Sequence, residues 1–354
     1  YTEKLLNDIT NATPGETVKL AGDADLSTYM TINKVVGVDL NRKNIERVNG
    51  TVFYLTDGAV FTLSGEGTVS GNEAIYAATG SHVVINGGSY KMTNVDESCN
   101  LIYSYGGNIT INSGVFESST ISTSFDAPQY ALLNLKDGSA GSIVVKGGEF
   151  KNFNPGNNYS EGVNTSFVAD GYKVVNKATG AVATEAHDVN GADVWYQVVV
   201  DPAAQLQMAI NNGSVSLTED VEISKFLTVE NDATVTLNVN SSIERVDGTV
   251  FYVTGGTFTL NGEGTVSGNE VVWASSGSNV VINGGTYKMT NNDEVFDLIY
   301  SFGGKITING GKFESSKYST TEFAAPQYTL LNIKDDYRAE GSIVVKGGEF
   351  KNFN

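Results

Sequence analysis

Residues 45–73 read IERVNGTVFYLTDGAVFTLSGEGTVSGNE, and residues 243–270 read IERVDGTVFYVTGGTFTLNGEGTVSGNE. KGGEFKNFN also occurs twice, at 146–154 and again at 346–354. The matches stay about 200 residues apart, so the chain reads as two tandem copies of one unit, 1–200 and 201–354. Repetition on this scale favours an architecture that stacks or extends over one built around a single pocket. It also supplies an internal control, because chemistry belonging to the unit needs a counterpart in each copy.

A shorter period runs inside the unit. Phe53-Tyr54-Leu55, Ile75-Tyr76-Ala77, Ile102-Tyr103-Ser104 and Leu133-Asn134-Leu135 align as one strand from successive turns. Phe61-Thr62-Leu63, Val83-Val84-Ile85, Ile109-Thr110-Ile111 and Ile143-Val144-Val145 form a second series, and Val69, Tyr90, Phe116 and Phe150 anchor a third. Glycines such as Gly87-Gly88 and Gly147-Gly148 separate the last two series and allow the positive φ that a sharp corner demands. Three short strands per turn predict an all-β parallel β-helix, a solenoid. Alternation puts Phe53, Leu55, Phe61, Leu63, Ile75, Val83, Ile85, Ile102, Ile109, Ile111, Leu133, Ile143 and Val145 inside.

Each unit opens with a short amphipathic helix. Leu5, Ile9 and Ala12 fall on one face before Pro14-Gly15, and Ala203, Leu206 and Ile210 do so before Asn212-Gly213. These helices are placed to cover one open end of a solenoid, where unpaired backbone groups otherwise invite aggregation. Residues 155–200 are placed to cover the other end of unit 1, with SFVADGYKVV and DVWYQVVV reading as a strand pair around a turn at 176–180. Unit 2 reaches Asn354 where its own closing segment is due, so the expectation is that the natural chain continues.

The coil pattern resembles the right-handed parallel β-helix superfamily of pectate lyases, polygalacturonases and phage tailspikes. FNPGNNYSEGVNTSFVADGYKVV is similar to segments that close β-helical modules in large surface and phage fibre-like proteins from gut Bacteroidales settings. The first resemblance implies a right-handed coil; the second implies exposure on a virion or a bacterial cell surface.

Composition narrows the function classes. A net charge of −18 opposes nucleic acid, anionic membranes and anionic polysaccharides such as pectate. No apolar stretch approaches the roughly 20 residues of a membrane-spanning helix. The single cysteine excludes an internal disulfide framework, and since Cys99 aligns with Phe296 it reads as an apolar filler.

The catalytic patterns that the resemblance would imply are missing. The polygalacturonase set of Asn-Thr-Asp, Asp-Asp, Gly-His-Gly and Arg-Ile-Lys is not found; the one Asp-Asp, Asp335-Asp336, lies in a variable turn. The lyases use Asp-bound calcium and an Arg or Lys base, yet there are only four arginines: Arg42, Arg47, Arg245 and Arg338. Arg47 and Arg245 correspond, and the plain reading is a Glu–Arg pair within Ile-Glu-Arg-Val. His82 aligns with Asn279, while His187 beside Asp188 reads as a solvated loop. Asp96-Glu97, matched by Asp293-Glu294, reads as a solvated acidic tip or a calcium loop, without the DxDxDG spacing.

The strongest candidate is aromatic. With Phe53, Ile75 and Ile102 inward, Tyr54, Tyr76 and Tyr103 point outward on successive turns, and unit 2 repeats them as Tyr252, Trp273 and Tyr300. Turns about 4.8 Å apart would make these rings one exposed strip, ending at Asn134 and Asn332. Such a strip serves sheet stability, a subunit contact or a glycan platform. The expected protein is a non-catalytic structural or adhesive fibre segment, a homo-oligomer contacting virion or cell-surface subunits or glycans. Neither cofactor nor metal is expected; the alternative is a polysaccharide-active β-helix enzyme.

Overall fold

The computed structural model describes residues 1–56, 58–93, 99–118, 130–159, 161, 164–185, 193–290, 296–315, 328–334 and 340–353. The chain forms two compact units, Tyr1–Asp201 and Pro202–Asn354. Both are parallel β-solenoids, with about ten turns between them. The helices are short, Thr2–Asn11 and Pro202–Asn211. Among the described residues no helix is long and apolar enough to cross a membrane.

In unit 1 the first face stacks Thr17–Lys19, Val35–Asp39, Val60–Ser64, the start of His82–Met92, the start of Asn108–Glu117 and Ser142–Val145. The second stacks Ala24–Asp25, Lys43–Glu46, Gly67–Gly71, the ends of the same two long strands and Gly148–Lys151. The third stacks Met30–Ile32, Thr51–Leu55, Glu73–Ala78, Cys99–Tyr105 and Tyr130–Leu135. All three aligned series are therefore parallel neighbours, and every residue assigned inward by alternation is buried.

Strands follow the opening helices where Val18 with Leu20 and Val215 with Leu217 lead one to expect them, at Thr17–Lys19 and Ser214–Leu217. Two features go beyond the sequence expectation. The first of these strands belongs to a complete turn, with Ala24–Asp25 and Met30–Ile32, that precedes the periodic region. The glycine corner is also not always a break, since His82–Met92 and Asn108–Glu117 run through it with register shifts at Ile85, Asn86 and Ser89. Gly88 at φ 91° and Gly114 at φ 138° make that passage possible, in conformations that residues with a Cβ rarely adopt.

The core is columnar. Tyr90, Phe116 and Phe150 stack inside unit 1 with ring centroids 4.9 and 4.8 Å apart and planes within 9°. Tyr287, Phe313 and Phe350 repeat the column in unit 2 at 5.0 and 4.8 Å. Each buried phenol must keep a partner: Tyr90 Oη donates to Gly87 O at 2.8 Å, and Tyr287 Oη to Gly284 O at 2.5 Å. Leu5 and Ile9 of the first helix, with Ala12 just after it, join the hydrophobic cluster of unit 1, and Leu206 and Ile210 join that of unit 2.

The segment after residue 155 forms the expected strand pair. Trp195–Val200 runs antiparallel to Tyr172–Asn176 on one side and to Gly148–Lys151 on the other.

Candidate functional site

The outward aromatic residues are in register. In unit 1 Tyr54 pairs with Tyr76, Tyr76 with Tyr103 and Tyr103 with Asn134. In unit 2 Tyr252 pairs with Trp273, Trp273 with Tyr300 and Tyr300 with Asn332. The structure lengthens each ladder beyond the three aligned positions. Tyr29 lies 5.3 Å from Tyr54 and Phe226 lies 5.3 Å from Tyr252, while Tyr105 and Phe302 flank Tyr76 and Trp273 at 5.6 and 5.4 Å. Lys136 Nζ sits 4.4 Å from the Tyr105 ring centroid, and Lys334 Nζ sits 4.2 Å from that of Phe302. Tyr29 and Phe226 come directly after bends and just before a strand, outside the aligned triplets, while Tyr105 and Phe302 follow Tyr103 and Tyr300 by two residues, on the same face by alternation but past the end of each triplet.

The strip is half-buried rather than fully exposed, because the rings spend area on one another. Tyr54 and Tyr76 stack at 4.9 Å with planes 16° apart, and Tyr103 meets Tyr76 edge-on at 75°. Trp273 is edge-on to both Tyr252 and Tyr300, at 66° and 80°. Burial pushes the Tyr76 phenol up to about 12, so it remains a protonated donor. The Tyr103 phenol is also raised, first by burial and then by Glu161, to whose Oε1 it donates at 3.3 Å. The Glu161 amide donates to Asn134 Oδ1 at 2.8 Å, so the segment after residue 155 folds onto the end of this ladder.

A cleft of about 510 Å³ opens beside the unit 1 ladder, walled by Tyr29, Tyr54, Tyr76 and Tyr103 and by Thr51, Asn72, Glu73 and Asn100. Glu73 begins the strand that carries Tyr76, and it is half-buried there with Thr51 Oγ1 donating to its Oε1 at 2.7 Å. Desolvation pushes its carboxyl up to about 8. Glu270 repeats the arrangement, taking a 2.8 Å bond from Thr249 Oγ1 and also rising to about 8. Sequence reading missed this pair, since Gly-Asn-Glu looks like a turn. The available signal was its recurrence in both copies, with a threonine in register one turn earlier.

The copies diverge next to these glutamates. Unit 2 carries Asp297, raised by burial and bonded by Thr329 and Asn332, where unit 1 carries Asn100. Among the described residues Asn100 Oδ1 and Trp273 Nε1 are buried without a hydrogen-bond partner.

The other candidates separate from this site. Arg47 is not paired with Glu46 among the described ion pairs; its Nη1 donates to Thr51 O at 2.7 Å, and Arg245 bonds the Thr249 carbonyl. Both fold back on a loop that turns at Gly50 or Gly248, so the shared arginine shapes the approach to the ladder strand. Cys99 is buried within the hydrophobic cluster, and His82 is exposed. Asp96-Glu97, Asp293-Glu294, His187, Asp188, Asp335-Asp336 and Arg338 lie outside the described residues. Among those described, no group of three or more His, Cys, Asp or Glu could hold a metal ion.

No family model, no curated protein and no solved structure matches the chain.

Proposed function

We propose that the chain is a non-catalytic structural or adhesive segment of an extracellular fibre, on a virion or a bacterial surface, with the aromatic ladders as its contact surfaces. In this reading it is a pair of tandem right-handed β-helical units, each opened by a helix that covers its first turn. The observation that carries it is the ladder itself, present in register in both copies and flanked in each by a lysine-covered aromatic. Outward rings on successive turns offer a partner subunit or a glycan a continuous amphipathic edge, and two copies multiply weak contacts by effective concentration.

The test is the double variant Tyr76→Ala/Trp273→Ala. It should retain the parent's far-ultraviolet circular dichroism while losing self-association in sedimentation velocity or retention on immobilised surface polysaccharides. A folded double variant that associates and is retained like the parent would leave the ladder with sheet stabilisation alone.

A second reading, polysaccharide cleavage, has one observation in its favour: buried Glu270 and half-buried Asp297 are two carboxyls with raised affinity for protons near the unit 2 ladder. Their counterparts in unit 1 are Glu73 and Asn100, so the pair belongs to one copy only. Reducing-end release at ordinary turnover that disappears in Glu270→Gln would favour this reading over the first.

A further inference from the structure

The two copies differ beside the ladder, and the difference is coordinated across two turns. Asn100 pairs in register with Ala131 in unit 1, whereas its counterpart Asp297 pairs with Thr329 in unit 2. In unit 2 the position is satisfied from within. Thr329 Oγ1 donates to Asp297 Oδ1, and Asn332 Nδ2 donates to Asp297 Oδ2 at 3.0 Å. In unit 1 the alanine has no side-chain donor to offer, and Asn134, the counterpart of Asn332, accepts from the Glu161 amide at 2.8 Å. Asn100 Oδ1 is left buried without a partner, a costly state for a polar atom.

Asn100 lines the 510 Å³ cleft of unit 1, whose volume lies within the roughly 300–1,000 Å³ of small-molecule sites. Four tyrosine rings line it too: Tyr29, 51% exposed, with Tyr54, Tyr76 and Tyr103 half-buried. Glu73 keeps its proton up to about pH 8, so its carboxyl offers both a donor and an acceptor there. The described lining residues include no lysine, arginine or histidine, and Arg47 has its Nη1 committed to Thr51 O at 2.7 Å. Aromatic rings beside uncharged donors and acceptors suit a ligand with an apolar C–H face and hydroxyls at its edge. They offer no cation to offset a buried carboxylate or phosphate.

From this we infer that the unit 1 cleft is a binding subsite for one neutral sugar ring, while the equivalent position of unit 2 is closed by its own Asp297–Thr329–Asn332 bonds. The inference rests on the reading of the ladder as a contact surface, and it names the ligand class and the copy that takes it. A pyranose packs its C–H face on the tyrosine rings while its hydroxyls exchange hydrogen bonds with Glu73 and Asn100. Turning the Asn100 carboxamide about χ2, a soft torsion, brings its unpartnered oxygen to a sugar hydroxyl.

The experiment titrates the full, isotope-labelled chain with methyl β-glucoside, methyl β-galactoside and methyl α-mannoside, and with methyl β-glucuronide as the acidic comparator. At least one neutral glycoside should shift the backbone amide resonances of Cys99–Tyr105 and leave those of Phe296–Phe302 in place. The glucuronide should bind about ten-fold more weakly. Asn100→Asp/Ala131→Thr, which gives unit 1 the arrangement of unit 2, should weaken binding about ten-fold or more with circular dichroism unaltered. The reciprocal Asp297→Asn/Thr329→Ala should bring the same shifts to Phe296–Phe302. No shift with any neutral glycoside, shifts confined to Phe296–Phe302 in the parent, equal binding by Asn100→Asp/Ala131→Thr, or equal binding of the glucuronide would each overturn the inference. The ladder reading is decided separately, because loss of self-association in Tyr76→Ala/Trp273→Ala would uphold a subunit contact even with no sugar bound.

Discussion

Glu73 and Glu270 put an unusual demand on single residues, since each is a carboxyl held where a charge is costly. In the folded chain they titrate near 8, whereas their ordinary value is 4.5. Between those limits the folded state holds protons that the unfolded state has released, so these groups make stability fall as pH rises from about 4.5 to about 8 and then level off. Glu73→Gln/Glu270→Gln should flatten that slope, measured as urea midpoints across the window. An unchanged slope would mean that both side chains reach water. The ladder rings act differently, because their partners are one another. Replacing Tyr76 alone should cost about 1 kcal/mol through its lost stacking.

At the scale of the element, the glycine corners decide whether turns can stack. Gly262 sits at φ 97°, and a Cβ there would collide with the Leu237 carbonyl of the preceding turn. Gly277 has a similar φ of 84° but nothing within 4 Å of the added carbon. Gly277→Ala should therefore cost only the conformational strain of about 1–2 kcal/mol. Gly262→Ala should cost clearly more, because backbone must also move; equal melting temperatures would refute the collision. These elements were largely legible beforehand. Phe53-Tyr54-Leu55 and its successors announce themselves because one face is continuously apolar and the other is not. The first turn was legible only at its opening strand, around Val18 and Leu20; its third strand was not, since Met30-Thr31-Ile32 puts threonine on the rung where later turns put an aromatic ring. Half-burial of Tyr76 was equally hidden, because it depends on how Tyr54, Tyr103 and Tyr105 lean, which no strand pattern encodes.

For the whole molecule, each unit has its own hydrophobic cluster, and among the described residues no buried core residue belongs to both. Phe258, fully buried in unit 2, packs 4.8 Å from Phe251. Phe258→Ala should destabilise by about 3–5 kcal/mol. Hydrogen exchange should accelerate throughout unit 2 strands such as Asn279–Ile282 and remain at the parent rate in unit 1 strands such as Val60–Ser64. Acceleration in both would show one cooperative body. The candidate contact surface follows the same division, since each ladder belongs to one unit and each unit presents its own.

The parallel register within each unit has a mechanical side. Hydrogen bonds between parallel turns are slanted but still link each strand to the one above it, so in a solenoid they run broadly along the direction in which turns are added. Tension applied in that direction opens one row of bonds before it reaches the next, rather than shearing many rows together. Each turn then works as a small fuse, yielding separately and paying out on the order of 80–120 Å of slack chain. Single-molecule extension should record a sawtooth of such steps at modest force, the behaviour of a tether that absorbs a jolt by lengthening and rewinds when the load is gone.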